Sequence, residues 1–326
     1  MMAHRKWIAG AFGALLLAPL AGQEQQPTFS VDVRLVRILA TVKNASGQLI
    51  GDLNKDDFEV FDNGVLQQLT VFEHHTEQPL SVSVMIDTSA STGIDLKYEV
   101  ESVDRFFRAL FKEGNPADAA SLYAFNWETT VLAEFTNRAE RLEHALRGIR
   151  SEGGTSLYDA IYLVSERIEE REGRHAIIIV TDGGDTTSAK NFHDALRAAQ
   201  MADSVLYPVL VIPISNDPGR NTGGEHALTM LAAGTGGRVF APTLGEALDA
   251  AFTGILRDLR TQYLLGYYPK NVPATKEPFH NITVRLKRQD LRVSARSGYY
   301  GETEETRTRR SKPADAPRPK GWRRVS

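Results

Sequence analysis

Asp87-Thr88-Ser89-Ala90-Ser91 places three oxygen-bearing side chains at alternate positions, with Gly93 just beyond them. Side chains that offer only oxygen suit a hard divalent cation such as Mg²⁺ or Mn²⁺. Taken alone, the loop reads equally well as helix capping, because Asp and Ser are favoured N-caps. Two later segments shift that balance toward a metal. Gly153-Gly154-Thr155-Ser156 brings another hydroxyl, and Asp182-Gly183-Gly184 brings another acid behind the apolar run Ile177-Ile178-Ile179-Val180.

These residues need elements that hold them at one edge of a fold. Leu80-Ser81-Val82-Ser83-Val84-Met85-Ile86 reads as a core strand ending at Asp87. A helix follows over 95–111, with Val100, Val103, Phe106, Phe107 and Leu110 on one face. Strands are predicted over 120–125 and 130–135 around the turn Asn126-Trp127-Glu128, then helices over 138–149 and 157–170. After Asp182 come a helix over 189–201, a strand over 205–213, a helix over 225–233, a short strand over 238–240 and a helix over 245–261. This alternation predicts an α/β class with a doubly wound, mostly parallel sheet. Ligands of such sheets bind at the carboxyl ends of the strands, where Asp87 and Asp182 both stand.

The pattern D-x-S-x-S, then T, then D resembles the von Willebrand factor type A domain and its metal-ion-dependent adhesion site. Asp87, Ser89, Ser91, Thr155 and Asp182 match all five positions in order, and the resemblance spans residues 80–261. It implies a bound Mg²⁺, with Mn²⁺ or Ca²⁺ as substitutes. The hydroxyls of Ser89, Ser91 and Thr155 would touch the ion, and the acids would act through water or hydrogen bonds. An ion with so many neutral ligands keeps positive character and an exchangeable water. It can therefore accept a carboxylate, so the implied partner is a protein presenting Asp or Glu.

The flanks differ in character. Residues 31–42, 58–61 and 65–72 are strand-like, with turns at Asn44-Ala45-Ser46-Gly47 and Asp62-Asn63-Gly64. Strands return at 263–268, 279–286 and 291–300. The preferred architecture is one small β-sandwich formed by 28–76 and 262–301, with the α/β domain inserted between them. Two separate β pieces are the alternative. Asp56-Asp57-Phe58-Glu59-Val60-Phe61-Asp62-Asn63-Gly64 and Gly298-Tyr299-Tyr300-Gly301 resemble the secreted VWFA-related acidobacterial domain family, which has the same segment order. That second resemblance implies little about function.

Composition sets the remaining bounds. The 326 residues leave room for two domains with sizeable cores. A net charge of −3 argues for neither nucleic acid nor an anionic membrane as partner. With no cysteine, disulfides, thiolate metal sites and cysteine catalysis are excluded. Arg5-Lys6, an apolar run over 7–18 and small residues at Ala21 and Gly22 form a signal-peptide layout, residues 1–22. The run is shorter than the ~20 residues of a membrane-spanning helix, which favours cleavage near Ala21 or Gly22 over a retained anchor. The expected location is periplasmic or secreted, with no transmembrane span after cleavage. The tail, 302–326, is polar, rich in Arg, Lys and Pro, and expected to be disordered.

Other motifs carry less. Asp52-Leu53-Asn54-Lys55-Asp56-Asp57 imitates a calcium loop but has Asp57 where Gly is needed and Asn63 in place of the bidentate Glu. Gly234-Thr235-Gly236-Gly237 lacks the Lys of a phosphate loop. His74-His75 has no metal-ligand spacing around it, and Asn44-Ala45-Ser46 and Asn281-Ile282-Thr283 are short glycosylation-type matches. Three functions remain: a non-enzymatic, metal-dependent protein-binding module, a Mg²⁺-dependent hydrolase, and a scaffold with a structural metal. The first leads, because no His adjoins Asp87, Thr155 or Asp182, and only Asp95 and Asp185 are further nearby acids.

Overall fold

A computed structural model describes residues 35–74, 78–112, 114–211, 221–273 and 275–301. The leader, His75 and the tail lie outside the described residues. The central sheet has the order β7-β6-β5-β8-β9. Its strands are β5 (Leu80–Asp87), β6 (Ala119–Phe125), β7 (Thr129–Thr136), β8 (Arg174–Thr181) and β9 (Ser204–Leu210). β5, β6, β8 and β9 run parallel, while β7 closes one edge antiparallel to β6. The fold class read from the sequence is therefore the observed one.

Strand side chains alternate between faces, so one apolar run can feed two cores. Val82, Val84 and Ile86 of β5 point to the layer formed by α1 (Leu96–Lys112), α2 (Ala139–Leu146) and α6 (Glu246–Arg260). Met85 of β5, with Ile177 and Ile179 of β8, faces α3 (Leu157–Glu169), α4 (Phe192–Met201) and α5 (Thr222–Thr235). All eight residues of β5 and all eight of β8 are buried, as strands covered on both faces require.

Several boundaries differ from the sequence reading for local reasons. The helix predicted over 189–201 starts at Phe192, because Asn191 accepts from the N–H groups of His193 and Asp194 while Asp194 accepts from Asn191 N–H. Ala189 and Lys190 instead donate their N–H groups to Asp159. The helix predicted over 138–149 ends at Leu146. The strand predicted over 238–240 is reduced to one bridge between Phe240 and Val209.

Two antiparallel sheets flank the central one in sequence. The first runs β12-β1-β10-β4 and the second β13-β11-β2-β3. The strands are β1 (Val36–Asn44), β2 (Phe58–Asp62), β3 (Val65–Gln67), β4 (Val71–His74), β10 (Tyr263–Tyr267), β11 (Phe279–Leu286), β12 (Leu291–Ala295) and β13 (Gly298–Tyr300). Asn63 and Gly64, both at positive φ, make the β2–β3 turn. The strands expected as continuous over 65–72 and 291–300 each break in two. The chain switches sheets at Leu69 and again at Arg296, both buried. β10 lies between β1 and β4, and β11 pairs with β2, so both sheets mix strands from the two ends of the chain. Their shared core includes Ile38, Ala40, Val60, Tyr263, Leu265 and Tyr267.

These sheets meet the α/β domain at the amino ends of its strands. Arg37 donates to Gln78 (2.8 Å) and to Gly173 O (3.2 Å), just before β5 and β8. Arg296 donates to Asp203, just before β9, and to Gln200 O (3.0 Å). Lys43 pairs with buried Asp258 of α6 at 3.2 Å. An eight-residue strand is about 25 Å long, so the carboxyl ends stay clear of this junction. No helix among the described residues is long and apolar enough to cross a membrane.

Candidate metal centre

Asp87 ends β5 with its side chain fully buried. A carboxylate there must be held by donors. Ser89 N–H donates to its Oδ1 at 2.8 Å, and the Thr181 hydroxyl donates to its Oδ2 at 2.6 Å. Burial pushes the Asp87 carboxyl above its ordinary value, these hydrogen bonds oppose that push, and the charge of Asp182 adds to it.

Beyond Asp87 the chain turns through a short 3-10 segment, Ala90–Ile94, with Ser89 extended at its start. The Thr92 hydroxyl reaches back to the carbonyl oxygens of Asp87 and Ser89, at 3.0 Å each. This closure leaves Ser89 Oγ and Ser91 Oγ 3.1 Å apart, with Ser89 buried and Ser91 exposed. Adjacent ligands of an octahedral Mg²⁺ with bonds of 2.0–2.1 Å lie about 2.9 Å apart. The two hydroxyls are hydrogen-bonded to each other at a spacing close to that of neighbouring coordination positions.

Backbone bonds knit this loop to the next. Ala90 N–H donates to Gly153 O (3.1 Å), Glu152 N–H to Thr88 O (2.8 Å), and the Ser151 hydroxyl to Ser89 O. The second loop is tied to the third through Thr155. Its N–H donates to the Thr186 hydroxyl (2.8 Å), and its carbonyl accepts from the N–H groups of Thr186 and Thr187 at 2.8 and 3.1 Å. Asp182 stands half-buried one residue beyond β8. The carboxyl edge thus gathers the loops bearing Asp87, Ser89, Ser91, Thr155 and Asp182.

The negative charge here exceeds what the five-position pattern contains. Asp95 is raised by burial and by Asp182. Glu99, on the buried face of α1, is pushed up to about 8 by burial and by the charges of Asp87, Asp182 and Asp95. Among the described residues no group of three or more His, Cys, Asp and Glu side chains is placed to hold a metal. The three loops bring the hydroxyl residues Ser89, Ser91 and Thr155 to this edge.

Sequence reasoning missed three contributors. Thr181 and Thr186 serve as hydrogen-bonding supports, and hydroxyls in such roles carry no spacing signal. Glu99 was legible: it interrupts the apolar stripe Leu96, Val103, Phe106 and Leu110 at helical spacing. Asp185, weighed as a general base, is engaged in loop closure, accepting from Tyr158 N–H and Ser188 N–H at 3.3 Å each. Trp127 is 58% exposed at the rim, beside Gly153.

Comparison with known proteins places this geometry in context. The family model for the von Willebrand factor type A domain matches residues 82–184. No curated protein matches the chain. Among solved structures, the chain is similar to the vWF domain of the type V pili tip protein Mfa5 from Porphyromonas gingivalis, at 16% identity and TM-score 0.47, covering 56% of this chain and 96% of that one. The conserved hypothetical protein BatB from Bacteroides thetaiotaomicron shows 19% identity and TM-score 0.45, covering 55% and 97%. The PilB minor pilin from Streptococcus sanguinis shows 12% identity and TM-score 0.46, covering 57% and 62%.

Proposed function

We propose that this chain, which carries a von Willebrand factor type A domain, is a metal-dependent protein-binding module of the cell envelope or exterior rather than an enzyme. Ser89, Ser91 and Thr155 would hold a Mg²⁺-type cation through their hydroxyls. Asp87 and Asp182 would act through hydrogen bonds and bound water. The cation would supply an electrophilic position for an Asp or Glu carboxylate of the partner. The observation that carries this reading is the Ser89–Ser91 hydroxyl pair, at the spacing of adjacent octahedral ligands above the buried Asp87.

The chain's own residues do the positioning. Thr92 fixes the curvature of the loop, Thr181 and Ser89 N–H orient Asp87, and Thr186 anchors Thr155. The β sheets dock at the opposite edge, which leaves the cation face accessible to a large partner. Hydrolysis is the weaker reading, because Asp185 is committed to the loop.

The test has two arms. Calorimetry should detect one Mg²⁺ or Mn²⁺ per chain, weakened by Asp87→Ala and Thr155→Ala. Arrays of Asp- and Glu-containing peptides should then bind in Mg²⁺ but not in EDTA, and not as their Asn and Gln counterparts. Metal affinity unchanged in both variants refutes the site. Peptide capture that survives EDTA refutes the metal-bridged contact and moves binding to the β sheets.

A further inference from the structure

Glu99 is an ionisable residue where the fold asks for an apolar one. It sits on the inward face of α1 between Leu96 and Val103, and it is 1% exposed. Neither of its carboxylate oxygens has a hydrogen-bond partner among the described residues. The charges that act on it are Asp87, Asp182 and Asp95, all negative. Buried polar groups are almost always satisfied, and a buried carboxylate without donors is a large penalty unless something positive compensates it. A leucine here would continue the stripe without that penalty. Glu99 lies in the first turn of α1, directly after the loop that bears Ser89 and Ser91, and the charges of Asp87 and Asp182 reach it.

Ser89, Ser91 and Thr155 contribute no charge, so a divalent ion on them is neutralised from beyond its direct ligands. Asp87 has both oxygens engaged by Ser89 N–H and Thr181, and Asp182 is only half-buried. Glu99 has both oxygens available and is the most enclosed of the acids that remain. Water bound to a divalent cation is a strong donor, and donors are what Glu99 lacks.

We propose that Glu99 is a sixth residue of the metal centre, a positioning residue on α1 whose carboxylate accepts hydrogen bonds from cation-bound water and offsets the cation's charge from the core side. This rests on the reading that a divalent cation occupies the Ser89, Ser91 and Thr155 loops. It makes α1 part of the metal site: the acid destabilises the metal-free fold and stabilises the loaded one. Loading would therefore draw the first turns of α1 and the loops together.

The test uses the full chain and Mn²⁺ as probe, with binding followed by electron paramagnetic resonance and thermal unfolding recorded in EDTA and in Mn²⁺. Glu99→Gln keeps the shape and removes the charge. It should raise the melting temperature in EDTA while lowering Mn²⁺ affinity tenfold or more, in the range of outer-shell substitutions. Glu99→Asp keeps the charge at shorter reach and should retain more affinity than Glu99→Gln. Opposite signs for metal-free stability and metal affinity are the signature that a merely structural acid does not give. If wild type binds Mn²⁺ and a folded Glu99→Gln binds it equally well, the assignment of Glu99 is overturned while the metal site stands. Should Glu99→Gln fail to fold, Glu99→Leu, which continues the apolar stripe of α1, takes its place, and a folded Glu99→Leu that binds Mn²⁺ as tightly as wild type overturns it instead. Absence of Mn²⁺ binding by wild type overturns both.

Discussion

The Thr181 hydroxyl donates to Asp87 Oδ2 at 2.6 Å and accepts from Gly183 N–H at 3.2 Å. One buried oxygen thereby couples the acid at the end of β5 to the loop that carries Asp182. The first loop's acid is oriented from the neighbouring strand, as well as from its own turn. Thr181→Val keeps the shape and removes this link, so affinity for the Mg²⁺ proposed at this edge should fall about tenfold or more, as for supports of metal ligands. Thr181→Ser should retain most of it. Calorimetric titration of both variants checks the point, and equal affinity in Thr181→Val would show that Asp87 needs no help from β8.

Gly153 has φ +81°, and a Cβ there would lie 3.0 Å from the Trp127 ring. Its carbonyl accepts from Ala90 N–H, so strain at this glycine acts directly on the serine loop. Gly153→Ala should destabilise the protein by about 1–2 kcal/mol through the left-handed backbone alone, with the ring contact adding to it. In a Trp127→Ala background the same substitution should lose only the backbone part. Urea unfolding of the two single variants and the double variant measures that coupling. Additive effects would mean that the ring and the glycine do not communicate.

The α/β class with its mostly parallel sheet was legible, and the sequence placed the loops of the five candidate positions at one carboxyl edge, because each reading rests on a strong local signal. Leu80 to Asp87 is one continuous apolar strand ending in an acid, and burial on both faces leaves such a run little alternative. What escaped was long-range. Nothing in residues 65–72 marks Leu69 as the point where the chain crosses between sheets, because both halves have the same strand character. Asn191 caps a helix that starts at Phe192, three residues later than expected, since its side chain and that of Asp194 satisfy each other's backbone. Thr181 and Thr186 look like ordinary strand and loop hydroxyls until the loops are assembled. Glu99 could have been found by asking why an acid stands in an apolar stripe.

Asp62 binds four strands together. It is fully buried at the end of β2 and accepts from the hydroxyls of Tyr267 on β10 and Tyr299 on β13, at 3.0 and 2.8 Å. His280 Nδ1 on β11 lies 3.1 Å from its other oxygen. Burial first, with Asp62 adding, raises both tyrosines above the ordinary phenol value, so they remain donors. The first Tyr of the Gly298-Tyr299-Tyr300 motif is therefore a clasp. Asp62→Ala leaves these partners unsatisfied and should cost about 3 kcal/mol or more, whereas Tyr299→Phe removes one donor and should cost about 1 kcal/mol. Differential scanning calorimetry separates the two. A similar small loss for both would show that the cluster is not cooperative.

The joint sheet also predicts how the chain behaves when divided. β10 supplies the middle of one sheet, with Val36 to Ala40 of β1 on one side and Val71 to His74 of β4 on the other. Without it, Ile38 and Phe72 lose their neighbours and two strand edges are exposed, a recipe for aggregation. Residues 28–261 and 262–326 produced as separate chains in one cell should therefore copurify as a stoichiometric complex. The 28–261 piece made alone should be insoluble or protease-sensitive. The complex should also keep whatever Mg²⁺ affinity the whole chain has, because the β sheets touch the amino ends of the central strands and the proposed cation face lies at the other. Soluble, folded 28–261 in the absence of its companion would show that the two ends of the chain fold independently.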